Sequence, residues 1–142
     1  MTIIQTGTTV EFPNRDPVKH HVYSFSPAKR FEIKLYAGKS ARPVTFDKPG
    51  EVALGCNIHD WMEAYVLVVD SPYFAKTGSN GKALIRNVPA GHYRLRVWHP
   101  RQKAERPLRE IEIGATPARL EMVADVTPRV FKTKPPFETE NY

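Results

Sequence analysis

The sequence predicts an antiparallel all-β sandwich, on three observations: period-two alternation of apolar and polar residues dominates, no helical stripe of useful length occurs, and turn residues punctuate the chain at short intervals. The chain of 142 residues carries 13 prolines, against roughly seven for average usage at this length. That excess favours many short strands and turns. Apolar residues make up 41% and charged residues 25%, enough to build a core and inconsistent with a disordered chain.

The elements follow in order. Val10 and Phe12 alternate with Thr9 and Glu11 after the turn residue Gly7. His20 and His21 open a further strand. Phe31, Ile33 and Leu35 alternate with Glu32 and Lys34 until Tyr36-Ala37-Gly38 breaks the pattern. Val44 and Phe46 precede Asp47-Lys48-Pro49-Gly50, and Val52 and Leu54 follow it, which reads as a hairpin closed by Pro-Gly. Ala64 to Val69 reads as a strand buried on both faces.

Beyond Asp70-Ser71-Pro72 the style changes. Tyr73–Thr77 and Lys82–Ile85 flank Asn80-Gly81, a dipeptide favoured in type I′ hairpin turns. Tyr93, Leu95 and Val97 alternate with Arg94, Arg96 and Trp98, and the pairs Ile111/Ile113 and Leu120/Met122 give two more short strands. Ten or so strands are expected, organised as a domain over 1–70, a β segment over 71–126 and an extended tail over 127–142.

Charge divides along the same line. Residues 1–70 hold eight basic and eight acidic groups, so the whole net charge of +6 lies in the second half. Arg94, Arg96, Arg101, Lys103, Arg106 and Arg109 contribute most of it. Such a surface suits an acidic partner met by electrostatic steering. No aromatic-interleaved platform or recognition helix is present to read nucleic acid. No run approaches the roughly 18 apolar residues of a membrane span. No basic and apolar leader is visible, which leaves a cytoplasmic chain or a mature exported one.

The single cysteine, Cys56, excludes an internal disulfide framework and any metal site needing two thiolates. It lies in Gly55-Cys56-Asn57-Ile58-His59-Asp60-Trp61-Met62, between a strand ending at Leu54 and one beginning at Ala64. Thiolate, imidazole and thioether on one tight loop form a soft donor set that selects copper over harder divalent ions. A second imidazole from another strand at the same end would complete the Cys, two-His and axial-Met ligation of a one-electron copper centre. His20 and His21 both answer that need. Lone histidines such as His92 and His99 read as ordinary surface or core residues, and too few remain for the second metal centre a copper reductase or oxidase needs.

The segments GTTVEFPNRDPVKHHVYSF and FDKPGEVALGCNIHDWMEAYVLVV resemble the cupredoxins, the superfamily of plastocyanin, amicyanin and pseudoazurin, and the C-x-x-H-x-x-M spacing is similar to that of amicyanins. Residues 1 to about 100 resemble periplasmic cupredoxin-like proteins often labelled methylamine utilisation proteins, with NGKALIRNVPAGHYRLRVWHP resembling a carboxypeptidase-regulatory or transthyretin-like β segment packed on the first domain. The resemblance implies a Greek-key sandwich with one type 1 (blue) copper cycling between Cu(I) and Cu(II), held by His20, Cys56, His59 and Met62. His21 would then occupy a family Asn position and is the alternative to His20. Asn14 and Asn57 would brace the ligands. Trp61 would join a docking patch around His59, with Arg94 and Arg96 on a basic docking face.

The implied role is electron transport between periplasmic redox proteins, such as a c-type cytochrome or a dehydrogenase, and not catalysis. Copper delivery, storage or sensing shares the same site, and a metal-free interaction module is the reading from another class. Three departures from the family pattern stand out. Its first strand, ahead of Thr2, has no counterpart, so either the chain is truncated there or another segment, such as the C-terminal half, fills that sheet edge. Leu54-Gly55 replaces the aromatic residue often found next to the cysteine, and His21 and Asp60 beside the ligands leave room for a non-blue geometry.

Overall fold

The computed structural model describes residues 1–38, 42–59, 61–105 and 107–128. Asp60, Arg106 and most of the expected tail (129–142) therefore lie outside the described residues. Every regular element among those described is a strand: β1 (Thr2–Gln5), β2 (Thr8–Val10), β3 (His20–Ser26), β4 (Lys29–Tyr36), β5 (Val44–Phe46), β6 (Gly50–Gly55), β7 (Glu63–Val69), β8 (Gly91–Leu95) and β9 (Arg109–Ile113). The all-β expectation holds, with no helix among the described residues and none long and apolar enough to cross a membrane.

The described residues divide into two compact units, 1–83 and 84–128. In the first, a five-stranded sheet of order β1-β7-β6-β3-β4 faces a two-stranded sheet of β2 and β5. Alternation decides which side chains meet between them, because successive residues of a strand point to opposite faces. Val52 on β6, Val66 and Val68 on β7 and Phe46 on β5 form the buried centre, with Ile4, Val10, Phe12, Phe31, Val44 and Leu54 packed around it. Ser24 is buried as well and caps the following turn by accepting from the Ser26 N–H at 3.1 Å.

Several expectations need correction. The edge beside β7 is filled by Thr2–Gln5, which pairs in parallel with Val66–Val69. Thr2-Ile3-Ile4-Gln5 is too short to show alternation, so it carries no strand signature of its own. Asp47-Lys48-Pro49-Gly50 does not close a hairpin. It carries the chain from one sheet to the other, since β5 pairs with β2 whereas β6 pairs with β7 and β3. A hairpin turn and a sheet-to-sheet crossing draw on the same Pro and Gly chemistry, so sequence does not separate them. Strand β7 is buried on its core face, but Tyr65, Leu67 and Val69 on the outer face are only half-buried.

Asn80-Gly81 is a turn without a hairpin. Gly81 alone takes positive φ, at 72°, its N–H donates to Gly78 O at 3.0 Å, and Asn80 Oδ1 accepts from the Lys82 N–H at 3.0 Å. A type I′ turn needs positive φ at both central residues, and neither Tyr73–Thr77 nor Lys82–Ile85 forms a strand. Leu120 and Met122 also lie outside any strand. In the second unit β8 and β9 form an antiparallel pair from Gly91↔Ile113 to Leu95↔Arg109.

Candidate metal centre

The centre forms where β3 begins and β6 gives way to β7. Strands β6 and β7 pair without slippage up to Gly55↔Glu63, so residues 56–62 form a short loop clamped at both ends by ladder bonds. Within it the Met62 N–H donates to His59 O at 2.9 Å, a turn that fixes how the loop folds back. Strand β3 pairs with β6 at Tyr23↔Gly55, and continuing that antiparallel register toward the start of β3 brings His20 beside the loop.

His20, Cys56 and His59 converge as a result: one donor atom from each lies within 4.8 Å of the others. Cys56 Sγ and His59 Nδ1 are 3.4 Å apart. Cys56 and His20 are buried, and His59 is half-buried at the rim. The imidazole of His59 lies between two rings, with its centroid 5.1 Å from that of His20 and 5.0 Å from that of Trp61.

His20 shows directly that the site fits a metal. Its Nε2 lies 2.7 Å from Asp16 Oδ2, and a carboxylate accepts only from a protonated nitrogen. In the neutral ring that makes Nδ1 the acceptor, and Nδ1 is buried with no hydrogen-bond partner among the described residues. An orphaned buried acceptor is costly, and coordination would satisfy it. One thiolate and two imidazoles are the trigonal donor set suited to copper.

His21 goes elsewhere. A register irregularity between His20 and Val22 turns it away, and its Nε2 lies 2.9 Å from Glu32 Oε1 without an aligned hydrogen bond. Its ring meets Tyr23 edge-on at 5.9 Å. Met62 ends the loop at 37% exposure, and Ile58 within it is 46% exposed.

Asn14 is buried and organises the approach to His20. Its Nδ2 donates to Val18 O at 2.7 Å and to Tyr36 O at 2.9 Å, and its Oδ1 accepts from the Asp16 N–H at 2.9 Å. These bonds brace the 14–18 turn and the end of β4, on the upstream side of the centre. Asn57 is exposed. Arg94 and Arg96 belong to the second unit, where they meet carboxylates: Arg94 stands opposite Glu110 in the β8–β9 ladder and Arg96 Nη2 lies 2.6 Å from Glu105 Oε1. His92 pairs across to Glu112, and His99 Nδ1 accepts from the Arg101 N–H at 3.1 Å.

Three residues near the centre have no clear sequence signal. Asp16 is hinted at only by Asn14-Arg15-Asp16-Pro17, a turn signature preceding the histidines. Tyr23 lays its ring over Gly55, where an added β-carbon would stand 2.8 Å from its Cζ and Oη; an aromatic ring thus sits beside the residue preceding Cys56 although it arrives from β3. Tyr36 pairs with His20 across β3 and β4, and burial, together with the charge of Cys56, pushes its phenol above the ordinary value of 10.0. The phenol therefore stays neutral across the physiological range.

No protein-family profile matches the sequence, and no match was found among curated proteins. Among solved structures the chain is similar to a copper-containing nitrite reductase from Thermus scotoductus SA-01, at 28% identity and a TM-score of 0.45, covering 49% of this chain and 19% of that one. It is also similar to a reduced tryptophan-to-tyrosine mutant of amicyanin, at 23% identity and a TM-score of 0.42, covering 47% of this chain and 67% of that one. The chain thus spans less than one fifth of the nitrite reductase chain. Fold and site together define an all-β protein with a buried, soft His–Cys–His cluster between two strand ends.

Proposed function

We propose that this cluster is a mononuclear copper centre of the cupredoxin kind, and that the protein is a periplasmic one-electron carrier, not an enzyme. His20, Cys56 and His59 would hold the metal, with Met62 as a further soft donor. Bound copper supplies a Cu(I)/Cu(II) couple. The observation that carries the reading is the buried Nδ1 of His20, without a hydrogen-bond partner among the described residues, within one donor cluster with Cys56 and His59.

The chain's own residues account for the rest. Ladder bonds at both ends of the 56–62 loop and the Asn14 bonds upstream hold the donors in a fixed frame, which keeps rearrangement between oxidation states small. Burial of Cys56 keeps water and other thiols from the sulfur. His59, half-buried beside Trp61 and the exposed Ile58, offers a path of short contacts to a redox partner such as a c-type cytochrome or a dehydrogenase.

Voltammetry of the copper-loaded protein tests the role. A carrier gives fast, reversible one-electron waves, whereas slow or irreversible waves with very tight Cu(I) retention show copper storage or delivery instead. Separate His20→Ala and His21→Ala variants test the ligand: the thiolate-to-copper colour is expected to fail only in the first.

A further inference from the structure

We propose that Asp16 is a positioning residue for the metal centre: its carboxylate locks His20 as the Nε2–H tautomer and so presents Nδ1 as the ready donor. This rests on the copper reading for its consequence but not for its mechanism.

The geometry is a closed chain of bonds. Asp16 Oδ2 lies 2.7 Å from His20 Nε2, and Asp16 is set in place through its own N–H, which donates to Asn14 Oδ1 at 2.9 Å. Asn14 in turn donates to Tyr36 O at 2.9 Å, and Tyr36 is the residue paired with His20 across β3 and β4. The loop carrying the carboxylate is therefore tied to the strand position opposite the imidazole it holds. Neutral imidazole has two tautomers, and in water the Nε2–H form leads by a small margin. A carboxylate on Nε2 removes the ambiguity and raises the basicity of the opposite nitrogen.

Asp16 is 60% exposed on its side chain whereas that of His20 is 10% exposed, so the pair sits at the boundary. Solvent screens part of the charge, while the Asn14 bond to the Asp16 N–H places the backbone that carries the carboxylate. Exposed carboxylates near a histidine are common, but the Asn14 clamp and the orphaned Nδ1 set this one apart.

The test starts with the metal-free protein at about pH 8, where an ordinary imidazole is neutral, and reads the His20 ring nitrogens by 15N NMR. The wild type is expected to show a single Nε2–H tautomer, and Asp16→Ala a mixture. Asp16→Asn keeps an oxygen acceptor and is expected to retain the tautomer while losing the charge. On copper loading, Asp16→Ala is expected to bind about 10–100-fold more weakly with the visible band preserved, and Asp16→Asn to show a raised reduction potential, because a negative charge that favoured Cu(II) is gone. A mixed tautomer in the wild type, or an Asp16→Ala protein with unchanged tautomer and unchanged affinity, overturns the proposal. If the wild type fails to bind copper, the copper reading falls while the tautomer comparison still decides the role of Asp16.

Discussion

Gly55 is the residue at which the outer sheet face and the centre are coupled. It precedes Cys56, pairs with Tyr23 on one side and Glu63 on the other, and lies beneath the Tyr23 ring. That ring is flanked by His21 at 5.9 Å and Phe25 at 5.1 Å. Gly55→Ala is expected to cost about 1–3 kcal/mol, the usual range for overpacking, measured by denaturant unfolding. Tyr23→Leu in the same chain should recover part of that loss. Equal losses in the single and double variants would show that the close approach is not the cause.

At the scale of elements, the crossing from β5 to β6 joins the two layers of the first unit, and Asp47 opens it. Lys29 Nζ on β4 lies 2.9 Å from Asp47 Oδ1. That hydrogen bond, aided by one from the Asp47 backbone and by the nearby lysine charge, holds the carboxyl below the ordinary 3.8. A lowered folded-state value means the contribution is complete above the unfolded value and lost as pH falls through the folded one. Stability is therefore expected to drop by a small increment below pH 3.8, less at high salt because the pair is exposed. Asp47→Asn should remove that increment, and a variant with an unchanged acid profile would contradict the assignment.

The same crossing shows what was legible in the sequence. Alternation over Phe31–Leu35 and Val52–Leu54 marks strands because each buries one face, and the 56–62 loop was identifiable because Cys, His and Met coincide between two strands. Strand pairing is a property of residues distant in sequence, so Pro49-Gly50 revealed a turn but not its destination. Thr2–Gln5 gains its structure from β7, and Tyr73–Ile85 has strand-like composition but forms no strand. The choice of His20 over His21 follows from a register irregularity in β3, which local spacing does not encode.

At the scale of the molecule, the centre lies in the unit whose charges balance over residues 1–70, and the net +6 belongs to the remainder of the chain. Within that half, Arg94 and His92 stand opposite Glu110 and Glu112 in the β8–β9 ladder. In the first unit one buried thiolate and two imidazoles converge, and the visible absorption spectrum on adding one equivalent of Cu(II) to the metal-free protein tests that centre most directly. An intense thiolate-to-copper band is expected, and it should disappear in Cys56→Ser; a colourless protein, or a band unchanged in that variant, would contradict a copper centre built on this cysteine.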